Sequence, residues 1–231
     1  VIRAQDESEV SQLLQLASRH SVPVTFRAAG TSLSGQSVSD SVLIVAGKNW
    51  EAWSCNDDAS QITLQPGVIG SKVNDILRPY GRKFGPDPAS LKSCMVGGIV
   101  MNNASGMSCG TVSHSDRMHL NARIVFADGY VLDTADSDSR NHFLDTHKHI
   151  VDAIVALRDE VRSDATLVER IKVKYSIKNV TGLNLLPFIT FDDPIDIILH
   201  LLVGSEGTLA FVSEVTMSTL PLEPFQANAM I

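Results

Sequence analysis

The spacing of apolar residues predicts a chain that mixes helices and strands. Val10, Leu14 and Ala17 fall on one face of a predicted helix over 6–20, and a β-rich run at 22–26 follows it. By the same criteria, further helices are predicted at 71–80, 148–161, 166–172 and 194–202, and further strands at 42–46, 62–65 and 208–220. The chain therefore opens with a helix and then a strand.

Three segments have a more specific local pattern. Residues 85–110 are rich in Gly, Pro, Ser and Asn but also carry apolar side chains, which a surface linker would lack. Residues 175–191 have mixed polarity and are predicted to be an irregular excursion. Asp128-Gly129 lies between two β runs over 122–132 and predicts a tight hairpin turn with positive φ angles at this dipeptide.

Length and composition are typical of a globular protein. With 231 residues, 44% hydrophobic and 19% charged, the chain can form one large domain or two subdomains. The apolar run at 195–203 is interrupted by Asp196 and His200 and is too short to span a bilayer. A net charge of −7 argues against a nucleic-acid partner. Because the chain begins at Val1 without a signal peptide, we expect a fragment of a longer protein.

The cysteines predict neither a disulfide framework nor a metal site. Cys55, Cys94 and Cys109 are odd in number and form no Cys-x-x-Cys pair, so we predict no zinc or iron–sulfur ligands in this chain. A reducing, cytoplasmic location follows, with peripheral attachment at the inner membrane face as the alternative.

The first candidate site is the loop from Arg27 to Ser32, directly after the strand at 22–26. Its small residues leave successive backbone amides open to an anion, and Thr31 and Ser32 add hydroxyl donors. Gly35 and Ser37 extend this cradle. An ordinary tight β-turn satisfies the same pattern, whereas P-loop and Rossmann motifs are ruled out by residue identity.

Two further segments suggest close approach of the backbone to a ligand. Residues 85–90, Gly97-Gly98 and 102–106 combine apolar residues with residues that have little side-chain bulk, so their amides need polar partners. The alternative is a buried chain crossing. Residues 203–209 join a predicted helix to a predicted strand with little room for side chains, which an ordinary helix C-terminus also explains.

In this order, the three segments resemble the vanillyl-alcohol-oxidase-type FAD-binding fold. The motifs that carry the closer similarity, to bacterial FAD- and iron–sulfur-containing D-lactate dehydrogenases, are Phe26 to Gln36, Gly85 to Ser90, Asn102 to Met107 and Lys178 to Gly182. The resemblance implies an α+β, PCMH-type fold with two subdomains at about 1–92 and 93–231. A small N-terminal mixed sheet and a larger, mainly antiparallel sheet are expected to hold FAD between them.

The resemblance also implies the residues that bind FAD. The pyrophosphate would be held by Ala28, Ala29, Gly30, Thr31, Ser32 and Leu33, with Gly35 and Ser37 beside them. The flavin and ribityl side would be lined by Pro86, Asp87, Ser93, Gly97, Gly98, Asn102, Ala104 and Gly106, and the adenine side by Glu206, Gly207 and Val212. Some members of the superfamily attach the flavin through a His at the position of Thr31, so this resemblance implies non-covalent FAD.

The implied activity is oxidation of a D-2-hydroxy acid, foremost D-lactate to pyruvate, by hydride transfer to the flavin. Electrons would leave to a quinone or to an iron–sulfur region of the full-length protein. The substrate cap and the cluster region would lie outside this chain, so no catalytic residue is assigned. Alternatives of the same fold are a glycolate oxidase subunit, a D-2-hydroxyglutarate dehydrogenase and an alkyl-ether-lipid synthase. A nucleotide-binding module without redox chemistry is an alternative of another class.

The histidines and a basic cluster offer no convincing catalytic group. His114, His119, His147 and His149 lack ligand spacing and are expected on the solvated surface, whereas His200 is expected in the core. A solvated face is also expected for the basic residues Arg170, Lys172, Lys174 and Lys178.

Overall fold

The computed structural model describes residues 1–223 and residue 225. The strands are Ile2–Arg3 (β1), Val24–Arg27 (β2), Val42–Val45 (β3), Trp53–Cys55 (β4), Gln61–Leu64 (β5), Arg82–Lys83 (β6), His119–Val125 (β7), Val131–Asp133 (β8), Phe211–Ser218 (β9) and Leu220–Pro221 (β10). The helices are Glu7–Arg19 (α1), Gly70–Leu77 (α2), Val96–Met101 (α3), Ser115–Met118 (α4), Ser137–Thr146 (α5), Lys148–Ser163 (α6), Ala165–Tyr175 (α7), Pro187–Thr190 (α8) and Pro194–Leu201 (α9). The predicted helices and strands are thus present, with shifted ends.

The N-terminal sheet has three strands in the order β1-β3-β2. Helix α1 packs on it through Val10 and Leu14, and Asp6 caps the helix by accepting a hydrogen bond from the Glu9 amide at 2.8 Å. Both strand pairs are parallel, so the expected mixed character of this sheet is wrong. Parallel neighbours require a crossover connection, and residues 28–41 provide it between β2 and β3 without forming a helix or strand.

The larger sheet has five antiparallel strands in the order β4-β5-β9-β7-β8, which confirms the α+β class and the antiparallel sheet. Strands β4 and β5 come from the first 92 residues, yet they pair with this sheet and not with the parallel one. The sheets therefore divide the chain between Val45 and Trp53. This division concerns the sheets alone. The subdomain boundary expected near residue 92 stays a prediction.

Two local predictions need correction. In the hairpin between β7 and β8, Gly129 has a φ of +83°, but Asp128 is not among the residues with positive φ. The Phe126 amide donates to the Tyr130 carbonyl at 2.9 Å, so the turn is longer than two residues. Within 85–110, where irregular backbone was expected, Gly97 and Gly98 lie in the first turn of helix α3. No described helix has the length and apolarity that crossing a bilayer requires.

Three histidines expected at the surface are buried: His114, His119 and His147. The His147 ring stacks on Phe143 with a centroid separation of 4.7 Å, and its Nε2 lies 3.0 Å from Asp128 Oδ2. His119 lies on β7 against helix α9 and has no hydrogen-bond partner for either ring nitrogen among the described residues. A single histidine gives no periodic signal of its own, which is why the sequence did not predict this burial. His149 is exposed, as expected.

Candidate functional site

A cavity of about 420 Å³ lies where the parallel sheet, helix α3 and strand β9 meet. Phe26 of β2 and Phe211 of β9 line it and contact each other with ring centroids 4.9 Å apart. The crossover loop after β2 forms one side, and the segment before β9 forms another. The cavity therefore lies between the two sheets, where the sequence predicted the cofactor.

The crossover loop lines this cavity with residues whose backbone amides have no acceptor in the described part of the chain. None of the amides from Ala28 to Leu33 donates a hydrogen bond to any described residue. Gly30 has a φ of +70°, and a Cβ there would lie 2.5 Å from the Arg27 side chain. The loop thus packs directly over the guanidinium and leaves its amides free for an anionic ligand.

The cavity wall carries two charged residues among those the structure describes, Arg27 and Glu206. Arg27 forms no ion pair with any residue in 1–223 or 225. A cation without a partner next to free amides favours a ligand with phosphate groups. Arg27 was part of the predicted motif but was not assigned as a site residue.

The structure brings most of the predicted site residues together. Those that line the cavity are Ala28, Ala29, Gly30, Thr31, Ser32, Leu33, Ser37, Gly97, Gly98, Asn102, Ala104, Glu206, Gly207 and Val212. Their contacts to FAD remain predictions.

The other predicted residues, Gly35, Pro86, Asp87, Ser93 and Gly106, do not line the cavity. Asp87 and Gly106 instead form a bridge between their two segments, and the Asp87 amide donates to the Ser105 carbonyl at 2.7 Å. The backbone partners that this segment needs are therefore supplied by the chain itself. Gly35 lies in an exposed turn with no atom within 4 Å of where its Cβ would be.

Sequence reasoning missed most of the apolar wall. Further lining residues are Phe26, Ala46, Pro66, Pro88, Cys94, Met95, Ile99, Met101, Ala210 and Phe211, together with the more polar Ser34, Gln36 and Ser90. Most of them are ordinary core residues by pattern, and only tertiary contacts direct them to one cavity. Burial raises the pKa of the Cys94 thiol, which keeps this lining residue protonated and unreactive.

A buried polar cluster supports the loop after helix α3. Asp116 accepts a hydrogen bond from Asn184 Nδ2 at 2.9 Å and contacts the ring of His114. Asn103 Oδ1 in turn accepts from the Asp116 amide at 3.1 Å. The cluster holds Asn103 at a φ of +51° between the lining residues Asn102 and Ala104. It therefore fixes one wall of the cavity from behind.

The donors and the wall together fit FAD. Free amides and Arg27 match the charge of a pyrophosphate, while the aromatic and aliphatic wall matches flat ring systems. A family model described as "FAD binding domain" matches residues 1–135. The chain belongs to this family, and FAD is its cofactor.

Curated proteins with sequences similar to this chain include two dehydrogenases. The chain is 25% identical over 231 residues to a D-2-hydroxyglutarate dehydrogenase of Haemophilus influenzae, covering 96% of this chain and 22% of the relative. It is 24% identical over 222 residues to a D-lactate dehydrogenase of Archaeoglobus fulgidus, covering 96% of this chain and 38% of the relative. The chain thus spans well under half the length of these curated relatives.

A solved structure shares the fold. The 6-hydroxy-D-nicotine oxidase of Arthrobacter nicotinovorans matches with a TM-score of 0.61 at 12% identity, over 95% of this chain and 36% of that chain. At this identity the match establishes the PCMH-type architecture alone.

Proposed function

We propose that this chain is the flavin domain of a dehydrogenase that oxidises a D-2-hydroxy acid, foremost D-lactate to pyruvate. The observation that carries the proposal is the loop of free amides over Arg27, which opens into an apolar cavity between two sheets. A D-lactate dehydrogenase among the relatives supports the leading substrate. A D-2-hydroxyglutarate dehydrogenase over the same share of the chain makes D-2-hydroxyglutarate the second candidate.

The residues of this chain bind and orient the cofactor. The amides of Ala28 to Leu33 would donate to the pyrophosphate oxygens, and the guanidinium of Arg27 would offset their charge. The wall of Phe26, Phe211 and Ile99 excludes water from the ring systems. When bound, FAD supplies the acceptor for the hydride equivalent of the substrate.

In this proposal, the full-length protein supplies the catalytic base and the residues that bind the substrate. We assign no catalytic base or substrate ligand to these residues and place them in the remainder of the longer protein. Electrons would then leave the flavin to a quinone or to an iron–sulfur region of the longer protein. The flavin is held without a covalent bond, because a Thr31 side chain cannot form the histidyl link.

The spectrum of the full-length protein tests this proposal. Anaerobic addition of D-lactate should bleach the absorption band of oxidised flavin, and L-lactate should leave it unchanged. Bleaching by D-2-hydroxyglutarate or glycolate alone would assign one of those substrates instead. A bound flavin that no D-2-hydroxy acid bleaches would refute the dehydrogenase and favour a nucleotide-binding module.

A further inference from the structure

We propose that Glu206 is a positioning residue whose carboxylate latches the cofactor loop, residues 28–38, over the cavity. The inference rests on the proposed binding of FAD in this cavity. It assigns to Glu206 control over how fast FAD is released, which differs from the role of a wall residue on the adenine side.

The latch is a hydrogen-bonded network that joins three segments. Gln36 Nε2 donates to Glu206 Oε1 at 3.1 Å, and Asn102 Nδ2 donates to the same oxygen at 2.6 Å. Ser32 Oγ donates to Gln36 Oε1, so the network extends into the loop that presents the free amides. One carboxylate oxygen therefore connects the cofactor loop, the end of helix α3 and the segment before β9.

The cofactor loop has no other hydrogen bond to the body of the protein. Within residues 1–223 and 225, the Gln36–Glu206 bond is the single hydrogen bond between residues 28–38 and any residue outside them. The remaining bonds of the loop are internal, such as Val38 N to Gly35 O at 3.1 Å. Residues 31–35 are exposed to solvent. Apart from its chain ends and its packing on Arg27, the loop is therefore held over the cavity by this one polar contact.

The backbone of Glu206 is strained for its residue type. Its φ is +56°, in the left-handed region that favours Gly, and its amide donates to the Met101 carbonyl at 2.9 Å. A non-glycine residue in this region suggests a local constraint. At Glu206 the carboxylate that accepts both hydrogen bonds supplies such a constraint.

A closed latch organises the donors before FAD arrives. With the loop held, the residues Ala28 to Leu33 already line the cavity, so less conformational freedom is lost on binding. With the latch broken, the loop samples open positions and FAD escapes faster. The expected effect falls on retention of FAD, with the fold intact.

The test compares Glu206→Gly with a matched control, Ser21→Gly. Ser21 is also a non-glycine residue at positive φ, +51°, but it is exposed and does not line the cavity. Both variants relieve backbone strain, but Glu206→Gly also removes two hydrogen bonds, so the release rates are compared at a temperature at which both variants are shown to be folded. We expect FAD release, followed by the recovery of flavin fluorescence on dilution, to be about tenfold faster in Glu206→Gly and unchanged in Ser21→Gly.

Two further variants separate a latch from a general defect. Glu206→Gln keeps an oxygen that can accept both hydrogen bonds and should restore most of the slow release. Gln36→Leu removes the tether from the other side and should speed release as Glu206→Gly does, with no additional effect in the double variant. Wild-type release rates in either single variant, or independent effects that multiply in the double variant, would overturn the latch.

Proteolysis of the flavin-free chain tests the latch independently of FAD. Thermolysin cleaves before large apolar residues, and Leu33 is fully exposed in the cofactor loop. Cleavage before Leu33 should be faster in Glu206→Gly than in Ser21→Gly, and equal rates would overturn the latch. If the wild-type chain takes up no FAD, the proposed function fails, while this comparison still decides whether Glu206 holds the loop.

Discussion

Burial of His119 makes a quantitative prediction about acid stability. The side chain lies on β7, is 3% exposed, and has no hydrogen-bond partner for either ring nitrogen within the described residues. Burial, and then the nearby ring of His200, lower the pKa of His119 from 6.5 to about 3. The folded protein therefore holds this ring neutral at pH values where the unfolded chain protonates it.

The sign and size of the effect follow from linkage. Between pH 6.5 and about 3, the unfolded state binds more protons at His119, so the contribution is complete above pH 6.5 and declines as the pH falls. At ~1.36 kcal/mol per pH unit, the loss attributable to His119 is about 2 kcal/mol at pH 5. The pKa of His200 is also lowered, chiefly by burial, so a smaller loss with the same sign remains when His119 is replaced.

Urea unfolding at pH 7.5 and pH 5 measures this contribution. The wild-type chain should lose about 2 kcal/mol more unfolding free energy between these values than His119→Leu does. His149→Leu replaces an exposed histidine and should retain the full wild-type loss. An equal loss in the wild type and in His119→Leu would refute the claim that this ring is buried without a partner.

Three further predictions concern the charge of Arg27, the non-covalent attachment of the flavin, and the ion pairs that join helices α5 and α9. Arg27→Met should weaken FAD binding about tenfold in equilibrium dialysis and reduce its salt dependence, and an unchanged salt dependence would argue against a phosphate contact. Acid precipitation should leave the flavin in the supernatant because Thr31 cannot bond to it, whereas flavin in the pellet would contradict this. Arg140→Met should lower the unfolding free energy by about 1 kcal/mol in urea, less in 1 M salt, because Arg140 contacts Asp193 at 2.8 Å and Asp196 at 3.0 Å. A change that is the same at both salt concentrations would mean that packing dominates that contact.

The sequence predicted the cofactor loop because its signal is local. Small residues after a β-rich run indicate accessible amides from Arg27 to Ser32, a pattern that a tight β-turn shares, and the resemblance of three segments to the FAD-binding fold favoured the cofactor. The apolar wall was not predictable in this way, since Ala46 and Phe211 reach the cavity only through the pairing of distant strands. Arg27 was read as part of a motif, and its isolation from other charges became evident only in three dimensions.

Helix α3 was missed for a related reason. Gly97 and Gly98 have low helix propensity and suggested an irregular crossing. In the structure, tertiary bonds support its first turn: the Val96 amide donates to the Val68 carbonyl at 2.8 Å and the Gly97 amide to the Pro66 carbonyl at 2.9 Å. Such long-range partners outweigh local propensity. They have no counterpart in the spacing of residues 85–110.

Titration of FAD into the chain and into two matched glycine variants tests whether the loop after β2 binds the cofactor. Gly30 and Gly35 both have positive φ, +70° and +79°, but a Cβ at Gly30 would displace the Arg27 guanidinium from beside the loop, while one at Gly35 meets no atom within 4 Å. We predict that the wild type and Gly35→Val bind one FAD with quenched flavin fluorescence and that Gly30→Val does not. Equal FAD affinity in Gly30→Val and Gly35→Val would contradict the assignment of this loop to the cofactor.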